Sequence, residues 1–176
     1  AFKAVQSGRQ VAVLVPTTIL AQQHYSSFKD RLHRYPVNVD VLSRFRTPAE
    51  QKEVVEKVKN GGVDILIGTH RILSKDIHFK NLGLLVIDEE QKFGVGAKEK
   101  LRSMRVTVDT LTLTATPIPR TLNFSLMGAR DLSVIETPPR NRLPIITEIS
   151  EWNEDTIHKA VLREIDRGGQ IYFVSD

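Results

Sequence analysis

Short apolar runs punctuate the chain at Gln10 to Val15, Val37 to Leu42, Val63 to Ile67, Gly83 to Ile87 and Thr110 to Leu113, each with the length and content of a buried strand. Between them, apolar residues fall near helical spacing. Thr17 to Tyr35 places them at Ile19, Leu20, Tyr25, Phe28 and Leu32. Thr47-Pro48-Ala49-Glu50 supplies an N-cap, a proline at the first helical position and the returning acid of a capping box, and the helix it opens runs to a glycine stop at Gly61-Gly62. A short helix is expected around His70 to Ser74, and longer ones over Ala97 to Met104 and Ile118 to Met127. Ala1 to Gly8 reads as the tail of a helix closed by glycine, so the natural domain is expected to begin upstream of Ala1. Apolar strands alternating with helices predict an α/β fold, a parallel sheet with helices on both faces.

The pattern breaks at Thr137-Pro138-Pro139-Arg140-Asn141-Arg142-Leu143-Pro144, where the prolines can continue neither a helix nor a central strand. Residues 138–144 are therefore expected to link a first domain, 1–137, to a second that starts at 145–176. That second segment predicts a strand near Ile145 to Ile149, a helix near Glu154 to Arg167 closed by Gly168-Gly169, and a strand Gln170 to Val174. One strand-helix-strand unit is too small to bury a core alone.

Composition narrows the chemistry. A chain of 176 residues, 40% apolar and 26% charged, is ordinary for a globular protein. The absence of cysteine excludes disulfides and thiolate metal sites, and five scattered histidines without a close pair argue against structural zinc. Both fit a reducing, cytoplasmic setting. The longest apolar run falls far short of the ~20 residues of a membrane helix, so no membrane partner is expected. A net charge of +4 is compatible with a nucleic-acid partner but does not by itself point to one.

The fourth apolar run ends in Asp88-Glu89-Glu90-Gln91 and the fifth in Thr114-Ala115-Thr116-Pro117. A buried strand that delivers two acids to its end suits an ATPase, the first acid holding magnesium and the second polarising the attacking water. Alone, such a pair is more often a solvated turn. The small-residue turn that follows the next strand strengthens the reading, because two strands ending in polar turns suggest one shared active edge. Pro16-Thr17-Thr18 and Gly68-Thr69-His70-Arg71 also follow apolar strands and place hydroxyls and amides at helix starts, an arrangement that favours phosphate oxygens. An ordinary helix cap at Thr17 or Thr69 is compatible with that role. Arg44, Arg71 and Arg120 gain weight as backbone-neutralising charges only as a group. No Gly-x-x-x-x-Gly-Lys-Ser/Thr phosphate cradle occurs. Gly94-Val95-Gly96-Ala97-Lys98 has its glycines too close and no hydroxyl after the lysine, and reads as a turn entering a helix.

The ordered set Pro16-Thr17-Thr18-Ile19-Leu20-Ala21-Gln22-Gln23-His24, Gly68-Thr69-His70-Arg71-Ile72-Leu73, Asp88-Glu89-Glu90-Gln91 and Thr114-Ala115-Thr116-Pro117-Ile118-Pro119-Arg120-Thr121 resembles motifs Ia, Ib, II and III of superfamily 2 helicases. The resemblance spans nearly the whole chain. It is nearest to the translocase module shared by the bacterial transcription-repair coupling factors and the branch-migration helicase RecG. Asp-Glu-Glu-Gln at motif II and Leu42-Ser43-Arg44-Phe45-Arg46 resemble the coupling factors, where RecG resembles Asp-Glu-Gln-His and Leu-Thr-Gly-Ser. Ile135 to Arg142 looks like the coupling factors at the join between their motor lobes.

The resemblance implies a RecA-like parallel sheet lacking its P-loop strand, followed by the first strand-helix-strand of a second RecA-like lobe. It places the phosphate loop upstream of Ala1 and the arginine finger downstream of Asp176. It implies ATP and magnesium as cofactors of the longer protein, with none bound tightly by this segment. By position, Asp88 would bind magnesium, Glu89 would activate water and Gln91 would sense the nucleotide. Thr114, Ala115 and Thr116 would couple that event to DNA. Pro16, Thr17, Thr18, Gly68, Thr69, His70, Arg71 and Arg120 would lie along the backbone of double-stranded DNA. The longer protein would displace stalled RNA polymerase and recruit excision-repair proteins through domains outside this segment. Without the P-loop strand, the sheet would expose an edge beside the strand ending at Thr114, open to the orphan strands of 145–176 or to a second copy. A RecG-like branch-migration helicase and a non-catalytic DNA-binding module are the competing readings. The presence of both acids argues against the latter.

Overall fold

The computed structural model describes residues 1–115, 133–137 and 145–174. The chain divides into two compact units, Ala1–Ser125 and Leu126–Asp176. In the first, α1 (Phe2–Gln6) leads into β1 (Gln10–Leu14), α2 (Thr18–Leu32), β2 (Val39–Leu42), α3 (Pro48–Asn60) and β3 (Ile65–Gly68). A 3₁₀ turn at His70–Leu73 precedes β4 (Leu82–Asp88), and a second at Glu90–Lys92 precedes α4 (Val95–Arg105) and β5 (Asp109–Leu113). The strands pair in the order β2-β3-β1-β4-β5, and every pairing is parallel. The carboxyl ends of all the strands therefore share one edge.

Alternation along the central strand builds a core on each face, since successive side chains of a strand point to opposite sides. Ala12 and Leu14 join Val54 and Val58 of α3, Ile72, Leu73, Phe93 and Leu101 of α4. Val11, Val13 and Val15 join Ala21 of α2, with Leu20, Tyr25 and Phe28 of α2 and Ala4 and Val5 of α1 packed against them. Burial on both faces explains why the strands read as continuous apolar runs. The expected capping box is present at α3: the Glu50 amide donates to Thr47 Oγ1 at 3.3 Å and the Thr47 amide to Glu50 Oε2 at 2.7 Å. The Thr47 hydroxyl also donates to Glu50 Oε2 at 2.7 Å, and this bond, followed by that of the Thr47 amide, holds the Glu50 carboxyl below the usual carboxylate range. Gly61 closes the helix at φ 80°, in the left-handed region that glycine enters without penalty. Helix α2 stops at Leu32, short of the expected Tyr35: the chain turns through His33 and Arg34, the Tyr35 amide donates to the Leu32 carbonyl at 2.9 Å, and Pro36 disfavours helical backbone at Tyr35.

Gln10, at the start of β1, is buried and fully used. Its Nε2 donates to the carbonyls of Val58 (2.9 Å) and Val63 (2.8 Å), and its Oε1 accepts from the Asn81 amide (3.0 Å). One side chain thus ties the end of α3 to the approaches of β3 and β4. Gln10→Leu would keep the bulk and remove these bonds. At about 1–3 kcal/mol per polar group left unpaired, we expect a loss of roughly 3 kcal/mol, read as a lower urea midpoint with an unchanged slope. An unchanged midpoint would contradict the assignment.

Strand β5 ends the sheet, as expected for an edge left open beside Thr114, and its Leu111 (50%) and Leu113 (38%) are exposed. In the second unit the expected helix forms as α5 (Glu154–Asp166), capped by Asn153, whose Oδ1 accepts from the Thr156 amide at 3.0 Å. The expected strands do not form: 145–149 and 170–174 carry no strand pairing, and Ile145, Ile146, Ile149, Tyr172 and Val174 are exposed. The sequence pattern is that of strands, but a strand persists only with a partner to complete its backbone hydrogen bonds. Trp152 and Phe173 meet edge to face at 6.0 Å in this unit. The helix expected at Ile118 to Met127 and the linker 138–144 lie outside the described residues.

Candidate active site

Across the shared edge, β2 runs out into Ser43-Arg44-Phe45, β3 into Gly68-Thr69, β1 into Val15-Pro16-Thr17, β4 into Asp88-Glu89 and β5 into Thr114-Ala115. Ligands of parallel sheets bind at this edge. The candidate residues thus divide spatially, with the Thr17 and Thr69 hydroxyls, glycine and arginines over β2, β3 and β1, the acids over β4 and the Thr114-Ala115 turn over β5. Thr116 and Arg120 lie outside the described residues.

Asp88 closes β4, opposite Leu113 of β5. Its side chain is 19% exposed, and its Oδ2 stands 3.1 Å from Nε2 of His24. An ionised carboxylate can only accept, so that nitrogen carries the proton. Oδ1 makes no hydrogen bond among the described residues. One free carboxylate oxygen suits magnesium, which takes one or two protein carboxylates and completes its shell with phosphate oxygens and water. Among the described residues no group of three or more His, Asp or Glu is placed to hold a metal without such help.

Glu89 is bound more tightly. It alone among the described non-glycine residues has a left-handed backbone, φ 53°, a conformation that costs about 1–3 kcal/mol and persists only where its surroundings enforce it. Those surroundings are the turn after β5. The Glu89 amide donates to the Leu113 carbonyl at 3.0 Å, and its Oε1 accepts from the Ala115 amide at 2.9 Å. Its Oε2 accepts from Gln91 Nε2 at 2.5 Å and lies 3.8 Å from Lys92 Nζ. The structure therefore joins the acid cluster to the Thr114-Ala115 turn through the acid assigned to water. A carboxylate offers about four acceptor positions, so each oxygen retains room for a water.

On the other half, Thr17 caps α2 by accepting from the Leu20 amide at 3.2 Å, while Pro16 and Thr18 are half-buried beside it. Thr69 is buried and its hydroxyl caps nothing; His70 next to it is exposed. Arg71 is engaged already: its guanidinium makes a two-pronged pair with Asp76 at 2.7 and 2.6 Å. That pairing raises the Arg71 pKa and holds the Asp76 carboxyl below its usual range. Arg71 would have to release Asp76 to neutralise a phosphate. Arg44 is exposed beside Phe45, itself 63% exposed, whereas Arg46 is paired with Asp40 at 2.7 Å.

Sequence reasoning quoted His24 but gave it no role. The signal was its phase: Ala21, His24 and Phe28 lie on one stripe of α2, so His24 faces the sheet with its neighbours. Nothing local in the sequence reveals that the strand it meets is β4.

Residues 1–124 match the DEAD/DEAH box helicase family. The chain belongs to that family. Among curated relatives of this helicase chain, the transcription-repair-coupling factor of Bacillus subtilis (strain 168) is 60% identical over 174 residues, which cover 99% of this chain and 15% of that protein. That of Haemophilus influenzae is 58% identical with the same coverage. The chain thus spans about 15% of the length of these relatives. A solved structure of RecG bound to a three-way DNA junction superposes with a TM-score of 0.71 at 36% identity, over 92% of this chain and 22% of that one. The five-stranded parallel sheet is accordingly the RecA-like sheet of a helicase.

Proposed function

We propose that this chain is part of an ATP-dependent double-stranded DNA translocase that displaces stalled RNA polymerase and couples transcription to nucleotide excision repair. The observation that carries the motor part of this reading is the bond from the Ala115 amide to Glu89, which ties the acid at the end of β4 to the turn at the end of β5. A motor needs such a joint, because hydrolysis must alter its grip on DNA. ATP and magnesium, when bound, supply the bond to be broken and the positive charge that offsets negative charge on the phosphates. Asp88 would hold the metal through Oδ1. Glu89 would orient and polarise the attacking water, and Gln91 would respond to the nucleotide beside it. Were Glu89 to exchange the Ala115 amide for water, the turn after β5 would lose that side-chain tie. Pro16, Thr17, Thr18, Gly68, Thr69, His70, Arg71 and Arg120 would contact phosphates without reading sequence.

The 60% identity to a coupling factor, against 36% to RecG, supports the first over a RecG-like branch-migration helicase. The TM-score of 0.71 keeps the second in view. Displacement of a stalled RNA polymerase by the longer protein with ATP separates them. Displacement supports the coupling-factor reading, whereas DNA-stimulated ATPase without displacement moves the assignment to fork remodelling.

The 176 residues alone contain no phosphate cradle. We expect the isolated chain to turn over no ATP, since it has no cradle lysine and its resemblance assigns none of its residues as the arginine finger, a group often worth ~10³–10⁵ in rate. The open edge of β5 is where two copies would pair strand to strand, seen as concentration-dependent sedimentation. ATP turnover by the isolated chain that is lost in Glu89→Ala would overturn the first expectation.

A further inference from the structure

We infer that His24 is the positioning residue for Asp88, holding one carboxylate oxygen so that the other is presented to a divalent cation. The inference rests on the reading of Asp88 as a metal ligand and adds a residue to it. His24 is carried by α2, a 15-residue helix anchored by its Thr17 cap, by Ala21 at 0% exposure and by Tyr25 and Phe28 against the sheet. Phe28 also meets the imidazole, its ring centroid 6.4 Å away. The imidazole is thus fixed from its own helix and delivers Nε2 to Asp88 Oδ2 across 3.1 Å, from a residue 64 positions away in sequence.

The geometry matters because Asp88 is the last residue of β4 and the backbone after it turns into the left-handed conformation of Glu89. Among the described residues no backbone amide donates to the Asp88 carboxylate, and His24 is its one hydrogen-bond partner. Without that bond the carboxylate could rotate about its terminal torsion, which is broad and roughly two-fold. Metal-ligating carboxylates are commonly held by such outer partners, whose loss typically costs 10–100-fold in metal affinity or activity. His24 also sits between the two halves of the edge, on the helix that begins at Thr17 and against the acid at the end of β4.

The test uses the longer protein that contains this chain, a non-hydrolysable ATP analogue and Mn²⁺ followed by electron paramagnetic resonance, so that binding is read without turnover. His24→Ala is expected to weaken Mn²⁺ binding about 10- to 100-fold. His24→Gln, whose amide can donate in place of the imidazole, is expected to recover most of that loss. Asp88→Ala serves as the reference. If Asp88→Ala weakens Mn²⁺ and His24→Ala does not, this inference fails while the assignment of Asp88 stands. If Asp88→Ala leaves Mn²⁺ binding unchanged, the assignment of Asp88 fails and His24 with it. If His24→Gln is as weak as His24→Ala, or each loses affinity only in proportion to a lowered melting temperature, His24 is structural and the inference is overturned.

Discussion

Replacing Glu89 with glutamine in the longer protein is expected to lower DNA-stimulated ATP hydrolysis by about 10²- to 10⁴-fold, the usual contribution of a positioned general base. The structure makes this substitution unusually specific. Glu89 accepts from the Ala115 amide through Oε1, and a glutamine carbonyl can accept the same bond. The backbone bond from Glu89 to the Leu113 carbonyl is untouched by any side-chain change. The turn after β5 should therefore keep its place, and what is lost is the negative charge that polarises water, together with the Oε2 acceptor of Gln91. Nucleotide affinity should change little, because the metal is assigned to Asp88 and the phosphates to residues elsewhere. Single-turnover hydrolysis and equilibrium binding of a fluorescent ATP analogue separate the two effects. A variant that retains more than half the wild-type rate would remove Glu89 from the chemistry.

Gly68→Ala is expected to cost about 3 kcal/mol or more, and to reduce the soluble yield of the chain sharply. Gly68 ends β3 between Leu14 of β1 and Leu42 of β2. A Cβ on it would overlap the carbonyl oxygen of Leu42 and crowd Ile72 Cγ1 at 3.0 Å. The obstacle is the backbone at the paired end of β2, so it cannot swing aside as a flexible side chain would. Its own carbonyl accepts from the Val15 amide at 3.0 Å, so a displaced Gly68 would disturb β1 as well. Against a typical domain stability of about 5–15 kcal/mol, a loss of this size is a large fraction. The measurement is the urea midpoint. A midpoint equal to that of the wild type would show that the strands can part without cost. Packing is therefore sufficient reason for glycine at this position, whether or not its backbone also approaches a phosphate.

Much of the fold was legible because its strands are buried on both faces and its helices carry strong end signals. The Thr47 to Glu50 capping box and the Gly61 stop marked α3 almost residue by residue. Parallel alternation then placed Thr17, Thr69, Asp88 and Thr114 on one edge without any knowledge of strand order. Two things were not legible. The apolar stretches at 145–149 and 170–174 have the composition of strands, but whether such a stretch pairs depends on a partner that local pattern does not contain. The contacts of charged side chains were hidden for a related reason. Arg71 looks like a free cation until Asp76 is seen against it, and the phase that turns His24 toward the sheet does not say that it meets the acid at the end of β4. The left-handed backbone of Glu89 left no trace in composition, since glycine or asparagine would have been the sequence signature of such a turn.

The most direct test of a motor at this edge is displacement of a triplex-forming strand from duplex DNA by the longer protein, with ATP, for wild type and Glu89→Gln side by side. The account predicts ATP-dependent displacement by the wild type and none by the variant, with duplex binding by the two alike. Displacement by Glu89→Gln at the wild-type rate, or none by a wild-type protein that binds both duplex and ATP, would contradict it.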